Sequence, residues 1–163
     1  MTVPVYLLPG DAGAASDFAF LEPMLGRRRD VRALDRSPGT DGAATAALVA
    51  DVLGRLPATP VDLVGYGAGA AIALGVAAGS PNIRRLVLVS GRPRDIDAAR
   101  QVSAPTLFVA AARDVPDDDH ALPPHTARVR IDSGPAIAAE RPAELLRYIE
   151  GFLDGTVLEA MVP

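Results

Sequence analysis

The sequence predicts an α/β fold: a single doubly wound domain on a mostly parallel six-stranded sheet, with helices on both faces. Three observations carry that expectation. Six short runs rich in Val, Leu and Ile recur along the chain, nearly continuous rather than alternating, as strands buried on both faces require. Helical patterns fall between most of them, and strand–helix alternation is what a parallel sheet with crossover helices produces. The length of 163 residues suits one core, and no linker or repeat divides it. The domain is expected to span 1–163, with the apolar tail 154–163 either docked or frayed.

The elements follow in order. "VPVYLL" (3–8) is the first strand, and "DFAFLEPMLG" (17–26) is a helix disturbed by Pro23. "DVRALD" (30–35) is the second strand. "DGAATAALVADVLGRL" (41–56) is a helix with Asp41 as a plausible N-cap. "VDLVG" (61–65) is the third strand, followed by a helix over 68–79. "RRLVLVS" (84–90), "PTLFVAA" (105–111) and "ARVRID" (127–132) complete the sheet. "RPAELLRYIEGFL" (141–153) closes the chain as a helix, with Pro142 in its first turn. In such sheets ligands bind outside the carboxyl ends of the strands.

Composition narrows the function classes. A net charge of −4 argues against a nucleic-acid footprint. The absence of Cys removes disulfides, thiolate nucleophiles and Cys-ligated zinc. The start, "MTVPVYLLPGDAG", lacks a signal-peptide pattern. Residues 61–79 are almost wholly apolar, yet Asp62 and the glycines at 65, 67, 69, 75 and 79 read as a buried strand–turn–helix, not a membrane span. A cytoplasmic protein is expected, and the Ala, Arg, Gly and Pro content suggests a GC-rich bacterial genome.

The stretch "VDLVGYGAGAAIAL" (61–74) carries the chemistry. Gly65, Tyr66, Gly67, Ala68 and Gly69 fit the nucleophile-elbow pattern G-x-S-x-G everywhere except at the serine. An elbow turns strand into helix within a residue or two at strained backbone angles, and a glycine at its apex relieves the strain. The same letters match the dinucleotide fingerprint G-x-G-x-x-G/A at Gly65, Gly67 and Ala70. That fingerprint normally opens the first strand–helix unit and is followed by an acid at the next strand's end; here it follows the third strand, and the next ends at Ser90.

The whole chain resembles an α/β-hydrolase, and more narrowly a minimal, capless, thioesterase-like one. "YLLPGDAGAASDF" (6–18) resembles the family's first strand and oxyanion loop, and "VRALDRSPG" (31–39) the neighbouring strand. "PTLFVAAARDVPDD" (105–118) resembles the strand and loop of the triad acid. "IDSGPAIAAERPAELLRYIEGFL" (131–153) resembles the last strand, histidine loop and final helix. The resemblance implies that the nucleophile position falls on Gly67, the acid on Asp114 and the histidine on Pro135, counting back from Glu140, Arg141 and Pro142. It implies oxyanion donors at the backbone N–H groups of Asp11 and Ala68, and a substrate surface including Ala12, Tyr66 and Arg92. Family members commonly carry a helical cap between the fourth and fifth strands. Here that connection is only "GRPRDIDAARQVSA" (91–104), so the cleft is expected to be open.

Each candidate has a plainer alternative. Asp11 is a cleft acid or base, or a turn former bonding its own backbone. Tyr66 is a hydrogen-bond donor or a packed aromatic. Asp114, with Asp117, Asp118, Asp119 and His120, lacks the spacing of a calcium loop and reads as a solvated acidic loop. His120 is the candidate imidazole for proton transfer, or a surface residue. Arg92 is an anion anchor or a solvated arginine. With no nucleophile and no base in the usual places, covalent hydrolysis is not expected.

Two functions are expected instead. One is a cofactor-independent cyclase or lyase acting on an acyl- or polyketide-like small molecule. The other is an inactive scaffold that binds a carrier protein or synthase. Neither metal nor cofactor is expected; a homo-oligomer is compatible with the sequence.

Overall fold

The computed structural model describes residues 3–10, 21–34, 46–91, 93–113, 121–134 and 136–156. Six strands form one sheet: β1 (Val5–Leu8), β2 (Val31–Ala33), β3 (Val61–Tyr66), β4 (Ile83–Val89), β5 (Thr106–Ala111) and β6 (Ala127–Ile131). Their spatial order is β2-β1-β3-β4-β5-β6, and every pairing is parallel. Six helices accompany them among the described residues: α1 (Leu21–Leu25), α2 (Ala46–Arg55), α3 (Ala68–Gly79), α4 (Ile96–Gln101), α5 (Ile137–Glu140) and α6 (Pro142–Leu153). The predicted helix over 17–26 is described from Leu21 onward, and Asp41, the expected cap of α2, lies outside the described residues.

Handedness explains which helix lies on which face. The chain steps from β1 outward to β2, then returns past β1 and continues in one direction through β6. Right-handed crossovers then put α1 on one face and α2, α3 and α4 on the other. The two cores agree. Val52 of α2, Ile72 and Leu74 of α3 and Ala98 of α4 pack with Leu8, Leu63, Leu86, Leu88 and Phe108. Leu21 and Leu25 of α1, with Leu145, Ile149 and Phe152 of α6, pack with Leu7, Val64, Val87, Val89 and Val109. Alternate residues of each central strand thus enter opposite cores, so the strands read as unbroken apolar runs.

α4 and α5 were not foreseen. Asp95 caps α4, its carboxylate accepting the Ala98 N–H at 2.9 Å. Among the described residues this six-residue helix is the one helix in the connection between β4 and β5.

The amino edge of the sheet is sealed by charge. Asp62, fully buried at the start of β3, accepts from Arg84 Nε at 2.9 Å and Nη2 at 2.5 Å. Arg84 also donates to the Leu153 carbonyl at 3.2 Å, and Arg85 donates to the Phe152 carbonyl, so both serve the last turn of α6. An Arg29–Asp154 ion pair closes the same corner. Burial raises the Asp62 pKa above the ordinary carboxylate value, and the bond from Arg84 pulls it part of the way back.

Candidate functional site

The chain reverses its direction of travel across the sheet between β1 and β3, and open α/β sheets bind ligands outside the carboxyl ends of the strands at such a point. β1 runs out through buried Pro9 and Gly10. β3 runs out at Tyr66 into Gly67, which caps the start of α3 with φ 58° and ψ −124°. The Gly67 N–H donates to the Val89 carbonyl at 2.9 Å, and its own carbonyl accepts from Ala70 N–H at 3.0 Å. The strand has become a helix around a single left-handed residue.

The glycines around that bend are glycine for different reasons. A Cβ on Gly65 would stand 2.5 Å from the Gly69 carbonyl oxygen and 2.8 Å from Ala73 Cβ. One on Gly69 would overlap the carbonyl oxygens of Leu8 and Pro9. One on Gly91, itself at φ 78°, would overlap the Gly67 carbonyl. At Gly67 the one atom nearby among the described residues is Gly10 Cα at 3.5 Å, an ordinary contact. Packing therefore forbids a side chain at Gly65, Gly69 and Gly91, whereas at the apex the described residues leave room and the positive φ opposes one.

Solved structures share this arrangement of strands and helices. The enol-lactonase from Burkholderia xenovorans LB400 superposes with a TM-score of 0.81 at 14% identity, covering 94% of this chain and 92% of that one. The thioesterase domain from the curacin biosynthetic pathway superposes at 0.72 with 14% identity, covering 91% of each chain. An α/β-hydrolase enzyme from the metagenome of sediments of the Mar Chica lagoon, Morocco, superposes at 0.73 with 16% identity, over 95% of this chain and 92% of that one. This chain has the α/β-hydrolase fold. No family model matches the sequence.

In this α/β-hydrolase fold the elbow stands at the end of β3 with Gly67 at its apex. Ala68 is the first residue of α3, so its N–H has no carbonyl one helical turn earlier to bond. It lies at the positive end of a twelve-residue helix. Tyr66 is half-buried and packs with the α1–α6 core. His125 is exposed and precedes β6, at the amino edge of the sheet, the end opposite Gly67. Of the other candidates, Asp11, Ala12, Arg92, Asp114, His120 and Pro135 lie outside the described residues.

Two features of this edge escaped the sequence reading. Ser90, buried at the end of β4, has a left-handed φ of 54°, uncommon for a residue with a Cβ. Its N–H donates to the Val109 carbonyl at 2.8 Å, so the close of β4 is held on β5 while Gly91 presses on the elbow. The second is Glu140, at the end of α5. Its Oε2 accepts the Gly134 N–H at 2.5 Å and lies 3.3 Å from Arg113 Nη2. Arg113 follows β5, and its own N–H donates to the Ser133 carbonyl at 3.1 Å. The loops that follow β5 and β6 are thus joined by a carboxylate and a guanidinium. The sequence signal was present in "AAERP", where Glu140 served only as a landmark for counting.

Proposed function

We propose that this protein binds an acyl- or polyketide-like small molecule in an open cleft and promotes an intramolecular cyclisation, elimination or decarboxylation without forming an acyl-enzyme. The observation that supports this most is Gly67. The strained bend of a hydrolase elbow is kept, φ 58° and ψ −124°, while the residue at its apex has no attacking atom. What remains is the start of a helix offering backbone N–H groups to a developing oxyanion.

Such a site has enough to work with. Holding a flexible chain in a reactive pose lowers a barrier by about 7–11 kcal/mol, and an oxyanion donor adds about 2.7–4 kcal/mol. Neither contribution needs a nucleophile from the protein. The dinucleotide reading is weaker: the glycines sit in the third strand–helix unit, and the first of them, Gly65, is filled by packing against the backbone of α3.

A second reading, an inactive scaffold for a carrier protein or synthase, draws on one observation. Ile96 on α4 is 59% exposed, the one large apolar side chain so exposed among the described residues, and it lies in the connection where a cap would otherwise sit. The test separates the two. Linear acyl and poly-β-keto thioesters are incubated with the protein and the products resolved by mass spectrometry. Ring-closed, dehydrated or decarboxylated products above the protein-free rate support the enzyme. A product profile identical to the protein-free control across the panel rejects it and leaves the scaffold.

A further inference from the structure

We propose that Glu140 is the proton acceptor of this site. This rests on the reading above, because an intramolecular elimination or carbon–carbon ring closure needs a group that removes a proton from the substrate. In a triad enzyme that group is an imidazole on the loop after the last strand. By position that imidazole would fall on Pro135, and the adjacent residue is Gly134. The structure brings a carboxylate to Gly134: Glu140, six residues further on, reaches back to its N–H at 2.5 Å.

The carboxylate is held in place and still reachable. Oε2 takes both described donors, Gly134 N–H and Arg113 Nη2 at 3.3 Å, which fixes the plane of the group and leaves Oε1 for a substrate proton. The Glu140 side chain is 44% exposed. Arg141 is turned away from it, its Nε donating to the Asp132 carbonyl at 3.1 Å. The loop itself is pinned, Ser133 being fully buried with its carbonyl bonded to the Arg113 N–H. A base on a pinned loop meets the positioning requirement for proton transfer.

A carboxylate is a mild base, so it suits a carbon acid made acidic by two flanking carbonyl groups, as in a β-keto acyl chain. The step balances without a co-reactant. The C–H proton moves to Oε1, its electron pair moves toward the carbonyl oxygen to give an enolate, and the proton returns to the product or to solvent.

The test uses 5-nitrobenzisoxazole, which opens to a coloured nitrophenolate when a base removes its ring proton. The folded protein, Glu140→Gln and Glu140→Asp are compared with an equal concentration of acetate. Gln keeps an oxygen for the Gly134 N–H, so a purely structural role would leave the probe rate unchanged. The expected result is a rate at least tenfold above acetate, lost in Glu140→Gln and partly kept in Glu140→Asp. A wild-type rate equal to acetate, or equal rates for wild type and Glu140→Gln with matching melting temperatures, overturns the proposal. The thioester panel judges the broader reading separately. Conversion that survives Glu140→Gln rejects Glu140 alone. A Glu140-dependent probe rate with an inert panel rejects the reading and keeps the base.

Discussion

At its amino end β3 opens with Asp62, buried and gripped by two nitrogens of Arg84 from the start of β4. At its carboxyl end the same strand runs into Gly67, with Gly91 from the end of β4 against its carbonyl. One end is closed by matched charges that also cap α6. Among the described residues the other is closed by backbone packed on backbone. An ion pair fixes the position of two strands and a helix, and occupies every atom it uses. A glycine-packed edge fixes the chain equally well and puts a residue without a side chain at its apex.

The largest effect is expected at the amino edge. Arg84→Met leaves the Asp62 carboxylate buried without its partner and should lower stability by about 3 kcal/mol, measured by urea unfolding. A loss below about 1 kcal/mol would mean that the pair is not what seals this end. At the carboxyl edge the glycines should separate. Gly69→Ala forces a Cβ into the carbonyls of Leu8 and Pro9 and should cost about 2–3 kcal/mol. Among the described residues Gly67→Ser meets Gly10 Cα at an ordinary contact distance, so it should cost about 1 kcal/mol, from the positive φ. Equal losses at the two positions would show that the apex is as crowded as its neighbours.

The smallest effect is one of pH. The Asp62 pKa is raised above 3.8, so between that value and the folded pKa the folded chain keeps a proton that the unfolded chain has lost. The stabilisation from this group is therefore complete below 3.8 and declines as pH rises through the folded pKa. Asp62→Asn should flatten that part of the stability–pH curve. A wild-type curve that rises across the same window in step with the mutant would contradict the raised value.

The sheet was legible because its strands are buried on both faces: "VDLVG" and "RRLVLVS" announce themselves as unbroken apolar runs. Their ends were legible to within a residue or two, since β3 and β4 span Val61–Tyr66 and Ile83–Val89. α4 was missed because six residues are too few for helical periodicity to register, although Asp95 stood as its cap. The elbow was legible because sterics demand glycine there in sequence-local order. Glu140 was not, because its bond to Gly134 closes a loop that no periodicity describes. The role of Asp62 was hidden for a similar reason: its partner lies on the neighbouring strand, brought opposite by sheet register.

On the proposed function the bend at Gly67 holds a substrate without attacking it. Intact-mass measurement after exposure to a fluorophosphonate, which labels activated serines, is the sharpest test. The expected mass is unchanged. A single stoichiometric adduct, on Ser90 or any other hydroxyl, would contradict it.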